Sequence, residues 1–549
     1  MFDLIHGPKP KAFWYEHCGL CAAAIIALTT AIRLYFVWSG QLDLVQDEAQ
    51  YWTWTRVPQW SYYSKGPLIA WLISGGTALF GDTELGVRFP AILGSAVGQA
   101  ALYLGMAKLF NRPLLGLLTV AVANTMPLFL AAGILMTTDN PLLWCWFGAL
   151  MSLYAMAENP KSNVAYVTLA VCIALGILAK YMMFALVGMS VIFFFLLWRH
   201  GLTTRRMLVG AAIASLVGII LGMTPILIWN AQNDWVGFRH VATLAGVAGK
   251  KANVFITFKY IAEYLGGQLG VVTPWWLLLM LITGWRAWGI AWSGKPTHKS
   301  LFMTDSYANN ESDLTAQQRS IRQCALLSST FLPLWFGMTL WSLHTRIYTN
   351  WPAMCYVSGI ILAAAGAEQL IRGVGHPRWR RALVIWFTIG AFIFGTLHLQ
   401  YLIPLPEKLN PTVRLKGWAD LGCKIDSIRH SLPNPNHVFF FSSAYDMTSA
   451  MSFYIPDRPT VYCANFGRRM AQYDLWPSPL DSHDRHIGWD AVFVLRENQT
   501  INPRLLTMFE SATSEQYLSA HKGGTGRTFT IITLRNFNGV WPSMEFGSF

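Results

Sequence analysis

Residues Cys18–Trp38 read CGLCAAAIIALTTAIRLYFVW, an apolar run long enough for one helix to cross a bilayer. The run is too long for a signal-peptide core and lacks a convincing small-residue cleavage site, so it predicts a membrane anchor. The shorter run Pro67–Phe80 suits a juxtamembrane helix, either interfacial or re-entrant. Apolar runs along the chain predict a polytopic α-helical membrane protein with about eleven spans, at about 18–38, 86–109, 114–135, 141–158, 163–179, 182–198, 207–229, 274–292, 323–343, 351–371 and 382–402.

The composition of the 549-residue chain agrees with this prediction. Hydrophobic residues make up 54% and charged residues 13%, whereas a soluble globular chain carries about 25% charged residues. This composition excludes a cytosolic enzyme, a disordered chain and a nucleic-acid-binding protein with an ordinary solvated surface. The formal net charge of +13 is explained separately, by the lysine and arginine residues of the loops that connect the spans.

Connections rich in lysine and arginine alternate with connections that are poor in them, and the rich set is expected to face the cytoplasm. This rule places the N-terminus inside, and eleven spans place the C-terminus outside. Topology thereby explains most of the positive charge, and no nucleic-acid partner is predicted. The rich set comprises Lys9, Lys11, Lys108, Arg112, Lys161, Arg199, Arg205, Arg206, Lys295, Lys299, Arg319, Arg322, Arg372, Arg378, Arg380 and Arg381.

The composition changes after about Pro404, where polar and turn-forming residues return. Short β-type runs occur at His437–Phe441, Asp490–Leu495 and Thr528–Leu534, and Leu415–His430 has a helical pattern. The sequence therefore predicts two domains: a transmembrane domain, 1–403, and a soluble α/β domain, 404–549, on the outer side of the membrane.

The outer connections carry ionisable residues that topology does not explain. Ordinary alternatives exist for each: helix capping for Asp47, Glu48 and Asp139, and snorkelling to the interface for Lys180. Ionisable groups at membrane depth are costly, however, and a whole set on one face indicates a functional cavity. The acids are Asp47, Glu48 and Asp139, and the bases are Lys65, Arg88, Lys180 and Arg346.

Acids beside bases suit transfer from a lipid-phosphate donor. A carboxylate can accept the proton of an acceptor hydroxyl, and cations can bind the departing phosphate and neutralise its growing charge.

Several motifs in this region resemble the bacterial branch of the protein O-mannosyltransferase superfamily, which includes lipid A aminoarabinose transferases and lipopolysaccharide galacturonosyl transferases. Their order and spacing fit over about the first 400 residues. The motifs are Asp47-Glu48-Ala-Gln-Tyr51-Trp52-x-Trp54, Tyr62-Tyr63-Ser-Lys65-Gly-Pro67, Arg88-Phe-Pro90, Thr138-Asp139-Asn-Pro141, Ala179-Lys180-Tyr181 and Asn350-Trp351-Pro352-Ala353.

The resemblance implies a GT-C glycosyltransferase of the bacterial inner membrane that uses a polyprenyl-phosphate-linked sugar on the outer, periplasmic face. It also implies the roles of the site residues, with Asp47 as general base of an inverting displacement. The catalytic group is Asp47, Glu48 and Asp139; the donor phosphate-binding group is Lys65, Arg88 and Lys180; and the substrate-binding group is Tyr62, Tyr63, Tyr181, Arg346 and Asn350.

Lys65 matches the lysine of a Lys-Pro-Pro motif, but Gly66 follows it here, which implies a less constrained backbone. A segment of the outer domain is also similar to this branch. Contact with a substrate headgroup would explain its polar residues, but a turn with surface packing is the preferred explanation. Those residues are Arg468, Arg469, Tyr473, Asp474 and Trp476.

No cofactor is expected to be required. Two carboxylates make a poor site for a divalent cation, and no histidine cluster supports one. The expected partners are the polyprenyl-phosphate-linked donor, a lipid, glycan or protein acceptor, and membrane lipids.

A transporter or flippase of lipid-linked anionic sugars is the alternative function, with an oligosaccharide polymerase or ligase as a third class. A transporter predicts charge near the middle of spans in two corresponding halves, and the sequence pattern shows neither.

Overall fold

The structure is a computed structural model that describes residues 16–248, 256, 258–296, 313–372, 377–399, 415–481, 486–497, 499–521 and 524–542. The predicted domain boundary at residues 403 and 404 lies outside these ranges, as do Lys9, Lys11 and Lys299.

The N-terminal part of the described chain is helical. Its helices are α1 (Cys18–Trp38), α2 (Gln46–Thr55), α3 (Leu68–Phe80), α4 (Glu84–Leu104), α5 (Pro113–Ala123), α6 (Pro127–Ala132), α7 (Asp139–Glu158), α8 (Asn163–Ala179), α9 (Phe184–Trp198), α10 (Arg205–Gln232), α11 (Val236–Leu244), α12 (Lys259–Val272), α13 (Pro274–Ser293), α14 (Asp313–Trp341), α15 (Cys355–Ile371) and α16 (Pro377–His398).

Seven helices in the described residues are long and apolar enough to cross a membrane, or eight if α12 and α13, bent by 99°, form one span. The predicted span 114–135 is not one helix. It breaks between Ala123 and Pro127, where proline begins the short helix α6. α3, α5 and α8 are apolar but only 13, 11 and 17 residues long. The multi-pass architecture is therefore confirmed, and the number of eleven spans stays a prediction.

Helix α15 forms the centre of the bundle, since every residue from Cys355 to Gln369 is buried. Peripheral helices instead expose apolar side chains, such as Leu28 on α1 and Leu93 on α4. A soluble protein would bury such faces, but a surrounding bilayer solvates them.

Arg33 is a charged residue inside the first predicted span, near the C-terminal end of α1 and away from its middle. It is only 1% exposed in α1, and its guanidinium donates to Ser95 Oγ at 3.1 Å and to Asn124 Oδ1 at 3.0 Å. These hydrogen bonds replace water around a buried cation and connect α1 to α4 and to the end of α5. The sequence does not indicate these hydrogen-bond partners, because both are neutral and lie far from Arg33 along the chain.

The C-terminal part is an α/β domain with one five-stranded sheet in the order β2-β1-β3-β5-β4. β1 is parallel to β2 and β3, whereas β5 is antiparallel to β3 and β4. Its elements are α17 (Trp418–Ser431), β1 (Val438–Ser442), α18 (Tyr445–Tyr454), β2 (Val461–Cys463), β3 (Asp490–Arg496), α19 (Pro503–Leu506), β4 (Phe509–His521) and β5 (Gly524–Phe537).

The C-terminal domain packs directly on the connection between α1 and α3. Helix α18 lies against α2, where the rings of Phe453 and Trp52 meet edge to face at 4.9 Å. The Tyr454 hydroxyl accepts a hydrogen bond from Leu44 N at 2.6 Å. The first loop after α1 is therefore enclosed between the helical bundle and the sheet domain.

Candidate active site

Helix α2 positions the carboxylates of the first loop. Its first turn is closed by Glu48, whose Oε2 accepts a hydrogen bond from Val45 N at 2.9 Å. This contact satisfies a backbone N–H group that a helix start leaves unpaired. Asp47 occupies the preceding position and points away from this cap, so the adjacent acids have different surroundings.

Glu48 and Arg88 form a buried ion pair with no side-chain exposure, at 2.7 Å between Oε2 and Nη2. Glu48 Oε1 also accepts from Met136 N at 2.8 Å, and Arg88 donates to the carbonyl oxygens of Leu42 and Asp43. Neither side chain reaches the cleft. The geometry therefore argues against the predicted roles of Glu48 in catalysis and of Arg88 in phosphate binding, and assigns the pair to holding the loop.

We expect Arg88→Ala to lower the free energy of unfolding by about 3–5 kcal/mol, because it leaves the Glu48 carboxylate buried without a cation. Thermal or denaturant unfolding of the purified protein in detergent measures this loss. Arg346→Ala is the matched control, since Arg346 forms an exposed ion pair with Glu263 and should change stability little. A stable Arg88→Ala variant with weakened donor binding would return Arg88 to the phosphate site.

A second buried pair joins α7 to the segment after α8. Lys180 Nζ lies 2.6 Å from Asp139 Oδ1, and Asn350 Nδ2 donates to Asp139 Oδ2 at 2.7 Å. Three residues that are distant in sequence thus meet at one point. The pairing also shows that Asp139 has two partners, so it is less suited than an unpaired carboxylate to accept a proton.

Lys65 is held near this pair by a close backbone approach. A Cβ atom on Gly66 would lie 2.1 Å from Leu178 O, so only glycine lets the loop pack against the end of α8. Gly66, which stands where the family motif has proline, is therefore fixed by packing against Leu178. The sequence had instead implied a less constrained backbone at this position.

Asp47 and Lys65 are two unpaired charges of the cleft. In the part of the chain that the structure describes, neither the Asp47 carboxylate nor the Lys65 ammonium has a hydrogen bond or ion pair. Asp47 is exposed at the cleft surface and Lys65 is half-buried. A carboxylate and an ammonium that face open space can both engage a ligand.

The protein around the cleft shifts the pKa values of both groups. The protein that surrounds the cleft partly removes water from the Asp47 carboxylate and so raises its pKa, an effect that Lys65 opposes and that Asp446, Glu48 and Asp139 reinforce. Burial and the neighbouring Lys180 lower the pKa of Lys65 to about 8, against the opposing effect of Asp139 and Asp47. Asp47 and Lys65 thus act on each other, which places them in one site.

The predicted substrate-binding residues have different surroundings. The Tyr62 hydroxyl donates to Trp54 O at 2.9 Å and its ring stacks on Trp54, which indicates a packing role. The Tyr63 ring lies 4.6 Å from His240. Tyr181 packs at 6.3 Å from Phe238 between ring centroids. Arg346 is exposed and paired with Glu263, so only Asn350 of this group contacts a predicted catalytic residue.

Three further residues belong to the site but were assigned no role from the sequence. Tyr51 and Tyr445 both lie near the charge of Asp47, and burial raises the pKa of each phenol. His240 lies near Lys65, and burial lowers its pKa to about 4. Tyr51 follows Asp47 by one helical turn, a spacing that could have indicated it. Tyr445 and His240 carried no such signal.

Among the described residues, no group of three or more histidine, cysteine, aspartate or glutamate side chains could hold a metal ion. Independence from metal stays a prediction.

An apolar cavity of about 690 Å³ lies among α1, α4 and α7. It reaches Asn140, next to Asp139, and continues along α4 and α7 to Val164 at the start of α8. Leu93 and Val97 on its rim are exposed on the side of the bundle. The cavity can therefore receive a hydrocarbon chain from the surrounding lipid.

Comparisons with known proteins agree with this geometry. The family model described as dolichyl-phosphate-mannose-protein mannosyltransferase matches residues 64–229. Lipid A galacturonosyltransferase RgtD of Rhizobium johnstonii is 27% identical over 364 residues, which cover 66% of this chain and 67% of the relative. Undecaprenyl phosphate-alpha-4-amino-4-deoxy-L-arabinose arabinosyl transferase 1 of Pseudomonas fluorescens is 24% identical over 227 residues, covering 41% and 38% of the two chains.

A solved structure has the same fold. ArnT from Cupriavidus metallidurans, bound to undecaprenyl phosphate, matches with a TM-score of 0.58 at 14% identity over 93% of this chain and 97% of the other. The match includes both the helical bundle and the sheet domain, given its coverage. Together, the family model, the sequence relatives and this likeness identify the chain as a multi-pass membrane glycosyltransferase with a GT-C fold.

Proposed function

We propose that this protein transfers a sugar from a polyprenyl phosphate to a hydroxyl group of an envelope lipid, with inversion at the anomeric carbon. Asp47 accepts the hydroxyl proton as the acceptor oxygen bonds to the anomeric carbon. The bond from that carbon to the phosphate oxygen breaks, and its electron pair leaves with the phosphate. Lys65 and Lys180 bind the departing polyprenyl phosphate. Asp139 positions Lys180 through its buried ion pair.

The observation that carries the proposal is the unpaired carboxylate of Asp47 in one cleft with the unpaired ammonium of Lys65. A general base needs a free carboxylate, and stabilisation of a leaving anion needs a free cation. A raised pKa also makes Asp47 a better proton acceptor at neutral pH than an ordinary aspartate.

The lipid-linked donor is supported by the adjacent cavity and by the relatives. The cavity is apolar, and Asn140, which follows Asp139 in the chain, lines it, so it offers a place for the isoprenoid chain of the donor. The names of two similar proteins specify undecaprenyl phosphate or a sugar carried on it. A lipid A acceptor is supported by the name of RgtD. We place the reaction on the periplasmic face of the inner membrane, in line with the lysine and arginine distribution.

The test is a reconstituted assay with labelled polyprenyl-phosphate sugars and lipid A. The proposal requires release of polyprenyl phosphate in step with a new glycosidic bond. The flippase alternative requires movement of intact donor across a proteoliposome membrane without release. Intact donor that crosses the membrane while no glycosidic bond forms would contradict the transferase.

The pH profile gives a separate prediction. We expect kcat/KM to rise as Asp47 loses its proton, at a pH above the ordinary aspartate range, because the pKa of Asp47 is raised. We expect it to fall as the pH passes about 8, because the free enzyme then loses the Lys65 cation. Initial rates at low donor concentration between pH 5 and 10 (on the order of ten values) would measure both limbs.

Lys65→Arg provides the control for the alkaline limb. A guanidinium stays charged throughout this range, so the fall near pH 8 should move to higher pH while the acid limb persists. An alkaline limb that stays in place in this variant would assign the titration to another group.

A further inference from the structure

The loop from Gly467 to Gln472 of the C-terminal domain crosses the first loop of the helical bundle at the edge of the cleft. Gln472 Oε1 accepts a hydrogen bond from Tyr63 N at 2.6 Å. Met470 is buried against Tyr63, Trp229 and Val236. The backbone of this loop is therefore fixed to the bundle within three residues of Arg469.

Arg468 and Arg469 are adjacent but have opposite surroundings. The Arg468 guanidinium donates to both oxygens of Asp474, at 2.7 and 2.9 Å, and to Cys463 O at 3.1 Å. Arg469 is exposed, and within the described ranges its guanidinium has neither a hydrogen bond nor an ion pair. The turn thus neutralises one arginine and leaves the next one free.

Arg469 faces the same cleft as Asp47, and its charge and that of Lys65 both act on His240. The charge of Arg469 lowers the pKa values of Tyr63, His240 and Tyr445, although burial is the larger influence on each. Tyr445 also lies near Asp47. The charges that act on Lys65 come instead from Lys180, Asp139 and Asp47. The cleft therefore carries a cation from the C-terminal domain in addition to Lys65 and Lys180.

An inverting displacement needs the attacking oxygen and the leaving phosphate on opposite sides of the anomeric carbon. Lys65 and Lys180 lie together beside Asp139 and suit the leaving phosphate. Arg469 enters from the other domain, beside the tyrosine that neighbours the proposed base. A cation there is placed for an anionic group other than the donor phosphate.

We propose that Arg469 binds a second oxyanion of the substrates, a phosphate or carboxylate carried by the acceptor lipid or by the transferred sugar. This inference rests on the proposed function and adds to it that at least one substrate bears an anionic group near the reacting atoms. A charge-assisted hydrogen bond to an unpaired guanidinium would select such a substrate over its neutral analogue.

Equilibrium binding to the purified full-length protein in detergent tests the inference without turnover. The first arm compares lipid A carrying two phosphates with the same lipid after phosphatase treatment, with undecaprenyl phosphate added to fill the donor phosphate site. The second arm compares polyprenyl phosphate galacturonate with polyprenyl phosphate galactose, which lacks the carboxylate. Each arm uses the wild type, Arg469→Ala, Arg469→Lys and Arg504→Ala.

We expect the wild type to prefer the anionic ligand in one arm, and Arg469→Ala to lose that preference through a roughly tenfold or greater weakening of anionic ligand binding alone. Arg469→Lys should keep part of the preference for the anionic ligand. Arg504→Ala should resemble the wild type, because Arg504 is an exposed arginine of the same domain on α19, which packs against β4. The arm that responds identifies the carrier of the oxyanion.

A wild type without preference in either arm, or an Arg469→Ala variant that keeps the preference, would overturn the inference. So would equal weakening of the anionic and neutral ligands, because that result indicates a structural role. The turnover assay tests the proposed function separately. If no polyprenyl phosphate is released in that assay, the proposed function is wrong, whatever the binding experiment shows.

Discussion

Asp47→Asn is expected to abolish sugar transfer, with kcat reduced by about 10²–10⁴. The amide is nearly isosteric with the carboxylate but cannot accept the proton of the acceptor hydroxyl at neutral pH. No described residue hydrogen-bonds to the Asp47 side chain, so the substitution removes no internal contact. Stability should therefore be unchanged, and donor binding should be unchanged or tighter because a negative charge near the phosphate has gone.

Asp446→Asn is the matched control for this experiment. Asp446 is a neighbouring carboxylate that raises the pKa of Asp47, but it is already paired with Arg496. Its neutralisation should keep transfer and shift the acid limb of the pH profile to lower pH. Near-normal transfer by Asp47→Asn, with thermal stability and expression equal to those of the wild type, would remove Asp47 from the base role.

The lengths of the apolar runs and the positions of the β-type runs predicted much of the fold. The helix at Leu415–His430 and all three predicted strands occur with bounds within four residues of those expected. The long edge strand β4 was missed because its exposed sequence, ESATSEQYLSA, has too few apolar residues for a strand pattern. The break between α5 and α6 was missed because continuous hydropathy conceals a helix end at Asn124.

The structure brings only part of the predicted site together, and the roles of its residues stay predictions. Sequence order cannot distinguish two adjacent acids, whereas the fold buries Glu48 against Arg88 and leaves Asp47 in the cleft. The same limit applies to the lysines: Lys180 is committed to Asp139, and Lys65 is free. Tyr445 comes from the other domain, and no local pattern indicates which surface of a sheet domain will meet a membrane bundle. Arg469 lies in a segment for which the sequence favoured a turn with surface packing.

Lys65→Ala should be the second most damaging substitution, with kcat reduced by about 10²–10³ and a weaker apparent affinity for the donor. The loss removes the free cation that neutralises the departing phosphate. Because Lys65 lowers the pKa of Asp47, its removal should also raise that pKa and shift the acid limb of the pH profile to higher pH. Initial rates across pH and donor concentration measure all three effects.

Lys180→Ala separates this electrostatic effect from a structural one. Lys180 is the buried partner of Asp139, so its removal leaves a buried carboxylate with Asn350 as its remaining hydrogen-bond partner among the described residues, and should lower stability as well as activity. Lys65 has no such partner, and Lys65→Ala should unfold at the wild-type temperature. Lys65→Ala could instead keep the wild-type kcat and the wild-type dependence on donor concentration. The leaving phosphate would then have to be bound elsewhere, and the proposed catalytic role of Lys65 beside Asp47 would be wrong.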